Sequence, residues 1–207
     1  GKATLNGAIY IIDWDDVQVG DITTNGAVPI TANGNSARSQ GLEVSFRASF
    51  SRQWSAQAVY AYNQAELTED ATGIVRDQPA FDGDRLPGTP EHQFAMGATY
   101  TMPLADSYEL SVDYNVAGIS DVYTKVGLRG NGEELPGFTV HNLSATLADD
   151  QWSAVFYIDN LFNKYAETGV RDDTSFIRDI GNFTLRRYYK HIITPRTIGL
   201  KLKYAFF

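Results

Sequence analysis

The side chains able to do chemistry in this 207-residue chain are scattered. His92, His141 and His191 stand far apart and cysteine is absent, so neither a closely spaced metal motif nor a disulfide framework can be built. Asp13, Asp15 and Asp16 surround Trp14, but the ligand spacing of a calcium loop is not met, and the cluster reads as solvated surface or lipid-headgroup contact. No nucleophile, base and orienting group can be paired, and the glycines of residues 128–137 (LRGNGEELPG) lack the phosphate-cradling pattern. The expectation is of no catalytic residue, no metal and no cofactor. Recognition chemistry remains. Residues 68–89 carry Glu69, Asp70, Asp77, Asp82 and Asp84 against Arg76 and Arg85. Residues 167–191 are slightly basic, with Arg171, Arg178, Arg186, Arg187 and Lys190 against four acids. An anionic chelate would suit the second stretch, through Arg171 and Arg178. A neutral sugar would suit acids and flat rings such as Phe81, Tyr123 and Phe176. Solvated loop charge is the plain alternative for each. The formal charge of -8 argues against nucleic-acid binding, which rests on clustered cations.

Long strands must position these groups. In the last twelve residues, RTIGLKLKYAFF, Ile198, Leu200, Leu202, Tyr204 and Phe206 share one face, and Gly199, Lys201 and Lys203 share the other. Leu42, Val44, Phe46, Ala48 and Phe50 alternate with Glu43, Ser45, Arg47 and Ser49. After a turn at Ser51-Arg52, Trp54, Ala56, Ala58, Tyr60 and Tyr62 repeat the pattern. Residues from about Glu91 to Met102 and from Tyr108 to Val116 form two further strands around a turn at Pro103 to Asp106, with Glu109 and Asp113 on the polar side. Residues 138–148 and 152–166 form two more around Asp149-Asp150, the second running through NLFNKYA. In residues 138–148 the alternation slips: Leu143, Ala145 and Leu147 share a face, but Phe138 and Val140 fall on the other. That predicts a bulge or a change of environment near His141. Residues 3–19 form a first strand whose apolar residues fall on no single face, and Gly20 to Ser36 reads as a loop.

Eight strands result, most about twice the usual soluble length of about 5–6 residues. Three short turns alternate with four long connections, which a compact soluble domain rarely contains. Apolar residues make up 43% of the chain and aromatics 13%, yet no apolar run is long enough for a membrane helix. Barrel strands never produce such a run, so the pattern supports an antiparallel transmembrane β-barrel or part of one. Glu43, Arg47, Glu109 and Asp113 are then lumen-facing candidates, and both ends of the chain lie on the periplasmic side.

Five blocks, RSQGLEVSFRASF (38–50), DGDRLPGTPEHQFAMGATY (82–100), LPGFTVHNLSATL (135–147), WSAVFYIDNLFNKYAE (152–167) and PRTIGLKLKYAFF (195–207), resemble in this order the last third of TonB-dependent outer-membrane transporters. The ending, with Ile198, Leu200, Leu202, Tyr204 and Phe206 in frame and Phe207 one residue extra, resembles the signature read by the barrel-assembly machinery. The resemblance implies that residues 1–207 are the last eight strands of a 22-stranded barrel, a class whose lumen is plugged. It implies an N-terminal plug, energy from the TonB-ExbB-ExbD complex, and contact with outer-membrane lipid and lipopolysaccharide. The cargo would be a small-molecule ligand, a ferric siderophore first, an oligosaccharide or other non-iron nutrient second. Glu43 would face the plug, and Asn160 would bond its own backbone in an Asx-type turn. The opening GKATLNGAIYIID lacks a signal peptide, so a chain continuing upstream is expected. A complete eight-stranded barrel with a structural or adhesive role and a soluble carbohydrate-binding or hydrolytic β-domain stand as alternatives.

Overall fold

The computed structural model describes residues 2–22, 29–33, 35–75, 78–104, 107–129, 132–177 and 183–206. Sixteen strands are assigned among them. In chain order these are β1 (Lys2–Trp14), β2 (Gln18–Ile22), β3 (Pro29–Asn33), β4 (Ala37–Ser49), β5 (Trp54–Leu67), β6 (Ala71–Val75), β7 (Gln78–Ala80) and β8 (His92–Pro103). They continue with β9 (Glu109–Ile119), β10 (Val122–Tyr123), β11 (Glu134–Leu135), β12 (Phe138–Ala148), β13 (Trp152–Asp159), β14 (Glu167–Ile177), β15 (Phe183–Ile192) and β16 (Thr197–Tyr204). Eight of them form one antiparallel sheet in the order β1-β4-β5-β8-β9-β12-β13-β16. The other eight form four separate ribbons, β2–β3, β6–β7, β10–β11 and β14–β15, one in each long connection.

Two of the short turns are closed by side chains at their first residues. The Ser51 hydroxyl accepts from the amides of Gln53 and Trp54 at 3.1 and 3.0 Å. Asp149 Oδ1 accepts from Gln151 and Trp152, both at 2.8 Å. These are the local bonds that make Ser and Asp turn formers.

Register decides which way each strand faces. Leu5 of β1 lies opposite Phe46, which lies opposite Ala58, and that row continues through Met96, Val116 and His141. Pairing with β4 therefore puts Ala3, Leu5, Ile9 and Ile11 on the oily face and Thr4, Asn6, Ala8 and Tyr10 on the polar one, an assignment β1 alone could not make. The strand stops at Trp14, short of Val19, and Asp16 just beyond it takes a left-handed φ of 54°.

The oily face is not a buried core. Trp54 is 50% exposed, Tyr60 37% and Phe206 80%, and Ile198, Leu200, Leu202 and Tyr204 are exposed with them. At the short-turn end aromatic pairs Trp54–Tyr100, Tyr108–Trp152 and Tyr204–Phe206 sit 4.7, 5.9 and 5.1 Å apart. At the long-loop end Tyr60 bonds His92 Nδ1 at 2.8 Å and Tyr114 bonds His141 Nδ1 at 2.6 Å. Two aromatic girdles with aliphatic residues between them match a slab of hydrocarbon bounded by two polar interfaces. The largest buried apolar cluster lies beyond the long-loop end of the belt, where Leu67, Leu86 and Val126 pack with Ala65, Ala71 and Ala80.

One expectation is narrowed here and another changes. The register of β12 with β9 runs unbroken from Phe138–Ile119 to Ala148–Glu109, so no bulge forms near His141. The slip in alternation marks a change of environment instead, because Phe138 and Val140 line an apolar part of the polar face. Strand β13 ends at Asp159 and does not run through NLFNKYA, since Asn160 and Asn163 take left-handed φ values of 52° and 53° that a strand cannot continue through.

Glycine is required where strands carry a ring across their neighbour. A Cβ on Gly41 would lie 2.0 Å from the Tyr62 carbonyl oxygen and 2.8 Å from the Tyr10 hydroxyl. On Gly7 it would meet nothing closer than the Glu43 carbonyl oxygen at 3.6 Å. Gly41→Ala is therefore expected to destabilise the barrel by about 2–3 kcal/mol, as overpacking does, and Gly7→Ala by well under about 1 kcal/mol. Denaturant unfolding of the full-length protein in lipid vesicles reads the difference, and equal losses would contradict it.

Candidate functional site

The polar face is hollowed along the middle strands and zoned by residue type. Near the short-turn end a depression is lined by Lys2, Thr4, Arg47, Gln57, Asp113 and Asn115. Within it Thr99 Oγ1 donates to Asp113 Oδ1 at 2.6 Å, and on the same face the Thr101 and Ser111 hydroxyls meet at 2.8 Å. Closer to the long loops a groove of ≈ 590 Å³ is lined on this face mainly by Val59, Ala95, Ala117, Ile119, Phe138 and Val140, with Glu43 and Gln93 among them. Glu43 is exposed, and its side chain makes no hydrogen bond or ion pair among the described residues. Higher still, Asn63 Oδ1 accepts from Ser39 at 2.7 Å and from Tyr10 at 3.2 Å.

Glu43, Arg47, Glu109 and Asp113 share this face: Glu43 stands between Ala8 and Ala61, Arg47 between Thr4 and Gln57, Asp113 between Thr99 and Ser144, and Glu109 between Pro103 and Ala148. They do not converge on one point. Ile198, Leu200, Leu202 and Tyr204 lie opposite Ile158, Phe156, Ala154 and Trp152 on the other face.

The loop candidates separate into two groups. Phe81 and Tyr123 each have one ring face covered by a guanidinium. Arg129 lies 4.5 Å from the Phe81 centroid and Arg85 4.8 Å from that of Tyr123. Each arginine also holds an acid. Arg129 Nη2 donates to Asp84 Oδ1 at 2.9 Å and its Nε to Asp84 Oδ2. Arg85 Nη1 donates to Asp121 Oδ2 at 2.7 Å, and its Nη2 to the carbonyls of Asp121 and Thr89. Arg171 and Phe176 stand in β14 opposite Tyr189 and Thr184, and their side chains lie outside the described residues, as does the whole of Arg178.

Asp84 carries the main electrostatic feature of these loops. Burial pushes its carboxyl up, but hydrogen bonds from Arg129 and from the Phe81 amide, with the Arg129 charge, outweigh burial and hold it below its ordinary value. A carboxyl depressed on folding stabilises above its unfolded pKa, about 3.9, and that stability is lost as pH falls through the folded value. In the Arg129→Gln variant the burial effect is left with less to oppose it, so Asp84 should titrate higher than in the wild type. Carbon NMR of aspartate-labelled full-length protein measures this, and an unchanged midpoint would contradict the pairing.

Asn160 is the group that sequence reading placed least well. It is 3% exposed, and it bonds well beyond its own turn. Its Nδ2 donates to the carbonyls of Lys164 and Thr194 at 2.8 and 3.0 Å, and its Oδ1 accepts from the Lys164 amide at 2.7 Å. Its own amide donates to Asn142 Oδ1 at 2.9 Å. The knot joins β12, the end of β13 and the root of the β14–β15 ribbon. The left-handed tolerance of Asn was the available signal.

An antiparallel meander with an oily face between aromatic girdles, a polar and hollowed opposite face, and short turns opposed to long ribboned loops is the wall of a membrane-spanning β-barrel. The TonB dependent receptor-like β-barrel family matches residues 1–161, and the chain belongs to that family. No curated protein sequence matches it. Among solved structures it is similar to the ferric yersiniabactin uptake receptor FyuA from Yersinia pestis, with 16% identity and a TM-score of 0.74 over 99% of this chain and 28% of that one. It is also similar to the siderophore receptor PiuA from Acinetobacter baumannii, with 18% identity and a TM-score of 0.69 over 97% of this chain and 25% of that one. The copper transporter OprC matches with 16% identity and a TM-score of 0.65 over 99% of this chain and 29% of that one. The chain thus spans under a third of each of these proteins, and the likeness is one of fold.

Proposed function

We propose that this chain is the C-terminal wall of an outer-membrane receptor that imports a scarce nutrient, a ferric siderophore first, with energy from the TonB-ExbB-ExbD complex. The observation that carries the reading is the open sheet. Among the described residues β1 and β16 are its two ends and do not pair with each other, so the eight strands do not close by themselves. Unpaired backbone has no water to bond in hydrocarbon, which supports a ring completed by further strands. Twenty-two is the count of the plugged outer-membrane transporters. A plug would then face Glu43, Arg47, Asp113 and Glu109, lipid and lipopolysaccharide would surround the oily face, and the assembly machinery would read Ile198, Leu200, Leu202, Tyr204 and Phe206. Cargo would meet the outer loops, with Phe81, Tyr123, Arg171, Phe176 and Arg178 as its contact candidates.

A second reading, uptake of an oligosaccharide, is favoured by one observation: Arg85 and Arg129 are each engaged by an aspartate, so residues 68–91 and 120–137 do not offer these two cations to an anion. The test is uptake of radiolabelled ferric siderophores by cells carrying the full-length gene, with and without an intact TonB system. Energy-dependent iron uptake supports the first reading. Growth on oligosaccharides with no iron uptake supports the second. Solute entry indifferent to TonB would overturn both.

A further inference from the structure

Residues 68–91 and 120–137 are separated in the chain by β8 and β9, yet they are fastened together in four ways. Their backbones meet, with the Gly88 amide donating to the Tyr123 carbonyl at 2.9 Å and the Gly127 amide to the Arg85 carbonyl at 3.0 Å. Their charges cross: the adjacent Asp84 and Arg85 reach partners of opposite sign, Arg129 and Asp121, in the other segment. Their rings are shared, since Arg129 covers Phe81 and Arg85 covers Tyr123. Their apolar residues form one cluster, in which Val126 from the second segment packs with Leu67, Ala71, Ala80 and Leu86, all between 0% and 6% exposed.

The first segment is in turn bonded to β5. The Leu67 amide donates to the Asp84 carbonyl at 3.0 Å and the Leu86 amide to the Ala65 carbonyl at 2.9 Å. Where the segments touch most closely the chain is glycine. Gly127 has a φ of +53°, and a Cβ there would lie 2.5 Å from the Asp84 carboxylate.

We propose that the described residues of these two segments are a single rigid body mounted on the end of β4 and β5. They form a fixed buttress at the long-loop end of the sheet, so any movement there displaces both together or neither. Reciprocal ion pairs hold the register between them, because sliding one segment past the other would break both pairs at once. The buried cluster resists separation, and the two guanidinium–ring contacts cap it. The inference stands whatever the cargo is and does not depend on the transport reading.

Hydrogen exchange of the full-length receptor in detergent micelles tests it, comparing wild type with Asp84→Asn and Asp121→Asn. Losing one charge-assisted pair in a coupled body should raise its opening roughly ten- to a hundredfold everywhere at once. The amides of Gly83, Leu86, Gly88 and Gly127 are therefore expected to accelerate together in either variant. The Lys164 amide, held by Asn160 elsewhere in the barrel, should keep its wild-type rate. Acceleration confined to the segment that carries the substitution would overturn the proposal. If Asp84→Asn also accelerates Lys164 and so loosens the whole barrel, the Asp121→Asn variant decides by the same criterion.

Discussion

Replacing Asn160 by alanine is expected to lower the unfolding free energy of the full-length barrel by about 3–5 kcal/mol, the largest loss from any single truncation in this part of the wall. The side chain satisfies three backbone groups, the amide and carbonyl of Lys164 and the carbonyl of Thr194. Asn160 itself is 3% exposed, so alanine removes these bonds at a buried position. Each buried group left unsatisfied costs about 1–3 kcal/mol. Alanine at a left-handed φ adds about 1 kcal/mol more. Asn160→Gly separates the two effects, because it removes the bonds and keeps the backbone unstrained, so it should recover about that last increment. Chemical unfolding in lipid vesicles, followed by tryptophan fluorescence, gives both numbers. An alanine variant within about 1 kcal/mol of wild type would mean that the knot between β13 and the β14–β15 ribbon does not hold in the folded protein.

The second large effect concerns the oily face. Leu200 sits in the middle of its row on β16, opposite Phe156 and flanked on the same face by Ile198 and Leu202. If that row meets acyl chains, Leu200→Arg should cost about 2–4 kcal/mol, the penalty of a cation near the middle of a bilayer. One residue along, Lys201 points to the opposite face and lies 5.5 Å from the Tyr157 ring. Lys201→Leu forfeits only that contact, about 0.5–1 kcal/mol. The contrast between adjacent positions is the diagnostic, since a sheet with water on both sides would rank them the other way. Refolding yield and unfolding midpoint in vesicles of defined thickness measure it.

What could be read from residue order, and what could not, follows from the range of the interactions involved. Alternation is local, so Leu42 to Phe50 and Trp54 to Tyr62 identify two paired strands and their oily side without coordinates. Ser51 and Asp149 identify their turns for the same reason. The ribbons inside the long connections escaped notice, because residues 20–36 are rich in Gly, Asn, Thr and Pro, the composition of turns, and their pairing is not written in any period. The face of β1 needed its neighbour, since Ile11 and Ile12 are both apolar and only the match of Leu5 to Phe46 chooses between them. Phe138 and Val140 were a real signal, and its cause was an apolar zone on the inner wall. Asp84 and Arg129 lie 45 residues apart. Nothing in either neighbourhood of the sequence says that they meet, or that Phe81 and Tyr123 each lose a ring face to an arginine.

The two outer strands of the sheet have a practical consequence for anyone handling this stretch by itself. Along β1 and β16 a row of amides and carbonyls has no partner within the described sheet, and such a margin is a template for other chains. Expressed alone, the piece should recruit copies of itself, margin to margin, into ladders of varied size. A mixture of multimers in gel filtration would therefore report these free margins and say nothing of the receptor's natural stoichiometry.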